Sequence, residues 1–194
     1  MPSSSRRPDE RNPLELRPFN TQQAILKQPD GSAKFSAGTR TSVLVSVHGP
    51  AEAPLKDELM DRALVSVSFN PLTGRPGIMH TFYERLLTDV ANYVILTKLH
   101  PRTVIDINVQ VLADDGAILS CAVNALQLAL IDASIPMKGM VASATCCFDS
   151  ESNLFLDPVQ EEIDAAQSVH FIVADQDANV VVADSVGWIN TDDV

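Results

Sequence analysis

Residues 113–133 read ADDGAILSCAVNALQLALIDA and decide the fold. The stretch begins as the end of a strand, turns at an Asp-Asp-Gly sequence and continues as a long helix rich in alanine and leucine. A helix that starts behind a glycine turn presents free N–H groups and the positive end of its dipole to an anion. No Arg, Lys or Thr stands at this turn to hold a phosphate. The backbone therefore predicts an anion-binding site, but the side chains at the turn lack the groups that would hold a phosphate.

The composition predicts one domain with an ample core. The chain has 194 residues, of which 45% are hydrophobic and 20% are charged, as in ordinary globular domains. No run of about 18 apolar residues occurs, so we expect no membrane span and no membrane partner. The N-terminus, MPSSSRRPDERNP, lacks the apolar segment of a secretory signal. We expect a flexible N-terminal tail over residues 1–20, where prolines break any helix, and a single domain over residues 21–194.

The cysteines and histidines give no metal-binding pattern. Cys121, Cys146 and Cys147 lie in apolar segments, which is typical of buried thiols in a reducing compartment. The histidines stand singly, without the pair spacing of zinc sites; they are His48, His80, His100 and His170. We therefore expect no metal and no cofactor.

The net charge of −11 is unevenly placed along the chain. Residues 1–102 hold 13 basic and 10 acidic side chains, whereas residues 103–194 hold one base, Lys138, and 15 acids. Phosphate contacts need clustered Lys and Arg, so the second half is not expected to bind nucleic acid strongly on its own. Its acidic surface is either an ordinary solvated face or a face that docks a basic partner.

Hydrophobic periodicity predicts an α+β domain. Alternating apolar residues indicate strands, and apolar residues at spacings of three and four indicate helices. The predicted order is four strands, a helix, a strand, a helix, two strands, a helix and two strands, which favours mixed sheets with helices packed on one side. The predicted strands are 21–27, 33–37, 41–47, 63–69, 103–112, 139–147, 153–157, 169–174 and 180–183, and the predicted helices are 78–98, 118–131 and 159–166.

Three segments, in this order and spacing, resemble the RNase PH family. They are RPFNTQQAILKQPDGSAKFSAGTRTSVLVSVHGPAE (17–52), LHPRTVIDINVQVLADDGAILSCAVNALQLALIDASIPM (99–137) and LFLDPVQEEIDAAQSVHF (154–171). The resemblance implies an RNase PH-like fold, also described as ribosomal protein S5 domain 2-like. Members of the family usually continue past the final hairpin into a long C-terminal helix, which this chain is expected to lack.

Within the family, the chain is closest in its motifs to the non-catalytic RNase PH-type ring subunit of the eukaryotic RNA exosome. The shared motifs are PDGSA (29–33), GPAE (49–52), LHPRT (99–103) and NALQLALIDASIPM (124–137). This likeness implies a structural ring subunit that supports 3′-to-5′ RNA processing and degradation, including rRNA processing, by helping form the RNA channel. It implies other RNase PH-type subunits and S1/KH cap subunits as partners, RNA bound through the complex, and a location in the nucleus, the nucleolus and the cytoplasm.

The resemblance also implies which catalytic positions have changed. Active relatives use inorganic phosphate to attack the terminal phosphodiester, which needs an anion clamp and carboxylates. The family's clamp Arg falls on Ile118, and its two essential Asp positions fall on Ile163 and Val169. Asp115 adds a negative charge where phosphate would sit. The alignment therefore predicts an inactive homologue, a pseudoenzyme with no catalytic or metal-binding residues.

An alternative stays open from the sequence. The free chain, as a homodimer, could retain a phosphorolytic or hydrolytic 3′ exoribonuclease activity. Four acids around the third predicted helix would then carry the chemistry; they are Asp157, Glu161, Glu162 and Asp164. The competing interpretation of Glu161 and Glu162 is that they are solvated helix residues.

Four basic residues are candidates for contacts in an RNA channel. Arg75 lies in the loop NPLTGRPG, where ring members of the family place a pore-facing loop. Arg85 matches a family Arg, although Asp89 follows one helical turn later and could pair with it. Arg40 and Lys34 could line the same side.

Overall fold

The computed structural model describes residues 7, 9, 11–75, 77–149 and 153–188. Its elements follow the predicted order. The strands are β1 (Phe19–Gln23), β2 (Gly31–Ala37), β3 (Thr41–Glu52), β4 (Leu64–Asn70), β5 (Thr103–Ala113), β6 (Val141–Phe148), β7 (Leu154–Leu156), β8 (Ser168–Asp175) and β9 (Val180–Gly187). The α-helices are α1 (Ile78–Val94), α2 (Ile118–Asp132) and α3 (Gln160–Ala165).

Two sheets enclose a layer formed by α1 and α2. The first sheet has the order β1-β2-β3-β5-β4, in which only the β4–β5 pair is parallel. The second sheet is antiparallel with the order β7-β6-β8-β9. Helix α2 packs on β2, β3 and β6, and α1 packs on β4 and also touches β9. Each sheet therefore has its helices on one face, and the predicted α+β class is confirmed.

The core forms because the strands alternate and α2 is apolar on most of its circumference. In β3, Val43, Val45 and Val47 are fully buried and face the helices, while the intervening residues lie on the outer face of the sheet. Helix α2 buries Leu126 and Leu130 together with several small side chains. A helix that is apolar on nearly all sides must be covered on more than one side, and the two sheets provide that cover.

Several element ends differ from the sequence prediction, and two of the differences have a clear structural basis. Strand β3 does not stop at Gly49 but continues to Glu52, because a bulge between His48 and Ala51 lets the strand resume pairing with β5. Helix α1 ends at Val94, and a single 3-10 turn occupies Thr97–Leu99 before the chain enters β5. None of the helices in the described residues is long and apolar enough to cross a membrane.

The first twenty residues include two buried arginines. Arg7 donates from Nε to Glu162 Oε1 at 2.7 Å and from Nη2 to Oε2 at 2.8 Å, and its guanidinium lies over the Phe155 ring. Arg17 is also buried. Glu162 is thus an ion-pair partner, and its interpretation as a solvated residue is wrong. Residues 1–6, 8 and 10 of the expected tail, and everything beyond residue 188 where a C-terminal helix would follow, lie outside the described residues.

Candidate functional site

A cavity of roughly 280 Å³ lies at the start of α2, between α1 and the inner face of the second sheet. Ile118, Ile163 and Val169 all line it. The fold therefore brings together the three residues that the family alignment placed at the phosphate and carboxylate positions. That these positions correspond to the family's catalytic residues stays a prediction.

The turn that leads into α2 has an unusual backbone. Gly116 has φ +85° and Ala117 has φ 55°, a left-handed conformation in which a side chain costs about 1–2 kcal/mol. Ala117 is the residue that precedes α2, at the N-cap position. Its side chain cannot accept a hydrogen bond, so it does not cap the N–H groups of the first turn of the helix. In the part of the chain that the structure describes, no Lys or Arg lines the cavity beside this turn.

Five polar side chains line the cavity, and they are Tyr83, Asp114, Thr145, Gln160 and Asp184. Asp114 accepts the Gly116 N–H at 3.2 Å. Asp184 lies on the inner face of β9, opposite Phe171 of β8. Burial, together with the negative charges of Asp114 and Asp184, raises the pKa of Tyr83, so its hydroxyl keeps its proton. Within the described ranges, no group of three or more His, Cys, Asp or Glu side chains could hold a metal ion.

Arg17 joins the turn before α2 to the segment before α3. It donates from Nη2 to Asp157 Oδ1 at 2.6 Å and from Nε to Oδ2 at 2.8 Å. The same guanidinium donates to Thr41 Oγ1 at 3.1 Å and to the carbonyl oxygens of Asp115 and Gly116 at 3.3 and 3.4 Å. A planar donor fork suits such a cluster of acceptors. Arg17 therefore holds in place the turn that forms one wall of the cavity, although its own side chain does not line the cavity.

The four acids of the alternative nuclease hypothesis do not meet at the cavity. Asp157 is held by Arg17 and Glu162 by Arg7. Asp164 is exposed and accepts the Gln160 side-chain amide at 2.8 Å. Glu161 is exposed and lies in a separate cleft. The acids that do face the cavity are Asp114 and Asp184.

The four basic candidates are not brought together either. Arg75 is exposed in the loop before α1, and Arg85 is exposed on α1 without an ion pair to Asp89 in the described chain. Lys34 lies on the outer face of the first sheet, away from the helix layer. Arg40 is 78% exposed, with Nη1 3.8 Å from Asp115 Oδ2. Whether these residues contact RNA stays a prediction.

Sequence reasoning missed Asp184, although a signal was available. The predicted last strand ended at residue 183, whereas β9 continues to Gly187. The alternation of the last strand continues past residue 183 and places Val182, Asp184 and Val186 on one face. An acid on an otherwise apolar face is a candidate site residue. Arg17 offered no comparable signal, since its partner is 140 residues away.

Burial disfavours the thiolate form of all three cysteines. Burial raises the pKa of Cys121 to about 12 and that of Cys147 to about 11, and it also raises the pKa of the half-buried Cys146. A thiol is reactive as the thiolate, which these environments disfavour. The three cysteines are therefore not candidates for a nucleophile in this fold.

Two plant proteins are similar to the chain in sequence. An Arabidopsis thaliana protein named "Exosome complex exonuclease RRP46 homolog" is 38% identical over 152 residues, which cover 78% of this chain and 63% of that protein. The Oryza sativa subsp. japonica protein of the same name is 34% identical over 167 residues, covering 86% of this chain and 70% of that protein. The chain thus spans 63% of the length of the first relative and 70% of the second.

Solved structures agree with this relationship. The crystal structure of rice Rrp46 matches with a TM-score of 0.91 and 31% identity, covering 96% of this chain and 88% of that chain. A structure of the Archaeoglobus fulgidus exosome with RNA bound to the active site matches with a TM-score of 0.74 over 97% of this chain and 85% of that chain. At 22% identity, the second match is a likeness of fold alone.

A family model described as "3' exoribonuclease family, domain 1" matches residues 15–136. Together with the name exonuclease carried by relatives at 38% and 34% identity, it overturns our prediction that the chain is an inactive homologue. That prediction is wrong, and the apolar residues at Ile118, Ile163 and Val169 do not by themselves decide activity. The expected RNase PH-like fold and the family resemblance are confirmed. The chain belongs to the 3′ exoribonuclease family, the RNase PH family.

Proposed function

We propose that the chain is an RNase PH-type subunit of an RNA exosome ring, where it supports 3′-to-5′ processing and degradation of RNA. The observation that carries this proposal is the match to rice Rrp46, which has a TM-score of 0.91 over 96% of the chain. The sequence similarity to proteins named as exosome components points the same way. Both comparisons cover most of this chain, so they concern its whole fold.

The surface supports assembly with neighbouring subunits. Strands β1, β4, β7 and β9 are at the edges of the two sheets and leave backbone groups free for pairing. Large apolar side chains are exposed near two of these edges, including Phe19 on β1 and Val186 on β9. Contact with neighbours in a ring would cover such edges and apolar side chains.

In this proposal the neighbours are other RNase PH-type subunits, and S1/KH-type proteins form a cap on the ring. RNA reaches the chain through the channel of the assembled complex, and Arg75 is the first of the basic candidates because its exposed loop corresponds to the pore-facing loop of ring members of the family. Such a subunit would act in the nucleus and nucleolus, with rRNA among its substrates, and in the cytoplasm.

Affinity purification tests the proposal. A tagged full-length chain expressed in its own cells should recover a stoichiometric set of RNase PH-like and S1/KH-type proteins that resists a high-salt wash. Mass spectrometry of the eluate and its size in gel filtration measure this result. Recovery of the tagged chain alone, at the size of a monomer or a homodimer, would contradict the ring proposal.

A second candidate function is a 3′ exoribonuclease activity of the chain itself, which the name of its plant relatives favours. In this proposal the acids that carry the chemistry are Asp114 and Asp184, which line the cavity, and not the four acids around α3. If the chain degrades a 5′-labelled RNA from its 3′ end, we expect Asp114→Asn to lower the rate at least tenfold, since a positioned acid or base contributes about 10²–10⁴. The matched control is Glu161→Gln, which should leave the rate unchanged. Equal loss in both variants, or in neither, would refute this assignment.

A further inference from the structure

The carboxylate of Asp184 has no partner within the described residues. It lies on the inner face of β9, between Val182 and Val186 and opposite Phe171, where every neighbour on the face is apolar. The residue is half-buried and makes no hydrogen bond or ion pair to the described chain. Its oxygens still reach solvent, because the described chain buries no oxygen of Asp184 without a partner. The carboxylate is therefore open to a ligand that donates hydrogen bonds.

The cavity in front of Asp184 suits a flat, uncharged group. Its walls include the rings of Phe82, Tyr83 and Phe171. Its volume of roughly 280 Å³ is at the lower end of the range for small-molecule pockets, so one aromatic group of modest size would fill it. Aromatic walls of this kind bind planar rings by stacking or edge contacts.

The charges decide which planar group fits. Asp114 and Asp184 both face the cavity, and among the described lining residues no cation offsets them. Two carboxylates repel a phosphate and accept hydrogen bonds from N–H groups. The hydroxyl of Tyr83 makes no hydrogen bond to the described chain and remains available as a donor to a ring nitrogen or carbonyl.

We propose that this cavity binds a nucleobase that carries an exocyclic amino group, as in cytosine or adenine, with the amino group donating to Asp184. The inference rests on the proposed function in one respect, that RNA is the source of the base. Uracil places a carbonyl oxygen where cytosine places its amino group, and that oxygen would face a carboxylate. The cavity therefore discriminates between two pyrimidines of the same size.

An NMR titration of the full-length chain with cytidine and with uridine tests the proposal. Neither nucleoside carries a phosphate, so the comparison isolates the base. We expect the methyl signals of Ile118, Val169 and Val186 to shift with cytidine, and cytidine to bind about tenfold more tightly than uridine, because a hydrogen bond to a charged group is involved. Adding inorganic phosphate should not displace cytidine.

Two variants with the same change of charge sharpen the test. Asp184→Asn should abolish or reverse the preference, because an amide can donate to the carbonyl of uracil. Asp177→Asn, in the turn of the same hairpin, should keep the preference of the parent chain. Thermal unfolding should show both variants folded, since D184N removes an unpaired charge from an apolar face.

Equal affinity for the two nucleosides, no binding up to millimolar concentration, shifts outside the cavity, or displacement of cytidine by phosphate would each overturn the proposal. Ring assembly is measured separately by co-purification. A failure here would therefore leave the proposed function standing.

Discussion

Replacing Arg17 by alanine is expected to lower the free energy of unfolding by about 3–5 kcal/mol, because it removes the guanidinium that pairs with the buried carboxylate of Asp157. The guanidinium also serves Thr41 and the carbonyls of Asp115 and Gly116, which would lose a donor. Urea unfolding monitored by circular dichroism measures the change. The matched control is Arg40→Ala, which removes an arginine that is 78% exposed and should cost no more than about 1 kcal/mol. Equal effects of the two variants would contradict the importance of the Arg17–Asp157 pair.

The same variant should change how stability depends on pH. Burial pushes the pKa of Asp157 upward, but the hydrogen bonds and the charge of Arg17 outweigh burial and hold it below its ordinary value. The pair therefore stabilises the fold above the pKa of an unfolded Asp, about 3.9, and this contribution is lost as the pH falls through the folded pKa. In R17A the hydrogen bonds and the charge of the Arg17 side chain are gone, and only the backbone N–H of residue 17 and the charge of Arg11 still oppose burial. The pKa of Asp157 therefore rises, and its carboxylate takes up a proton at a higher pH. The difference in stability between R17A and the parent chain should narrow from pH 7 to pH 4, and parallel curves would refute this account.

Replacing Gly116 by alanine should lower the free energy of unfolding by about 2–5 kcal/mol. A side chain at φ +85° costs about 1–2 kcal/mol, and overpacking adds typically 1–3 kcal/mol. The overpacking arises because a Cβ atom there would stand 2.8 Å from the Gln160 nitrogen and the Pro158 oxygen and 2.9 Å from the Val159 carbonyl carbon. These are backbone atoms, so the contact cannot be relieved by rotating a side chain. Urea unfolding again gives the measurement.

Gly74→Ala is a close control for Gly116→Ala. Gly74 has φ +83°, nearly the same backbone conformation, but a Cβ atom there meets no heavy atom within 4 Å. Gly74→Ala should therefore lower the free energy of unfolding only by the cost of a side chain at positive φ, about 1–2 kcal/mol. If both variants lose the same stability, the close approach between Gly116 and the start of α3 is not what limits this position.

Local patterns were enough to predict the elements and their order. The alternation in 41–47 and in 103–112, and the apolar periodicity of 118–131, each gave an element that the structure contains. The ends of elements depended on contacts that no local pattern records. Strand β3 passes Gly49 because β5 continues to pair with it beyond a bulge.

Only those residues of the candidate site that match catalytic positions of the family could be predicted from the sequence. Ile118, Ile163 and Val169 converge on one cavity as the resemblance implied. The activity of the chain could not be inferred from these three residues, and the prediction of an inactive homologue was wrong. The wall formed through Arg17 depends on an ion pair between distant parts of the sequence, and such a pair has no periodicity to detect.

The arginine links have a consequence for how the protein is made. Arg17 and Asp157 are 140 residues apart, and Arg7 and Glu162 are 155 residues apart. At a synthesis rate of about 5–20 residues per second, the first arginines leave the ribosome on the order of 10 s before their partners exist. During this interval the nascent chain exposes two arginine side chains, Arg7 and Arg17, that are buried in the folded protein. The two ion pairs cannot form until Asp157 and Glu162 have left the ribosome, so a chaperone that shields the early segment has a defined period in which to act.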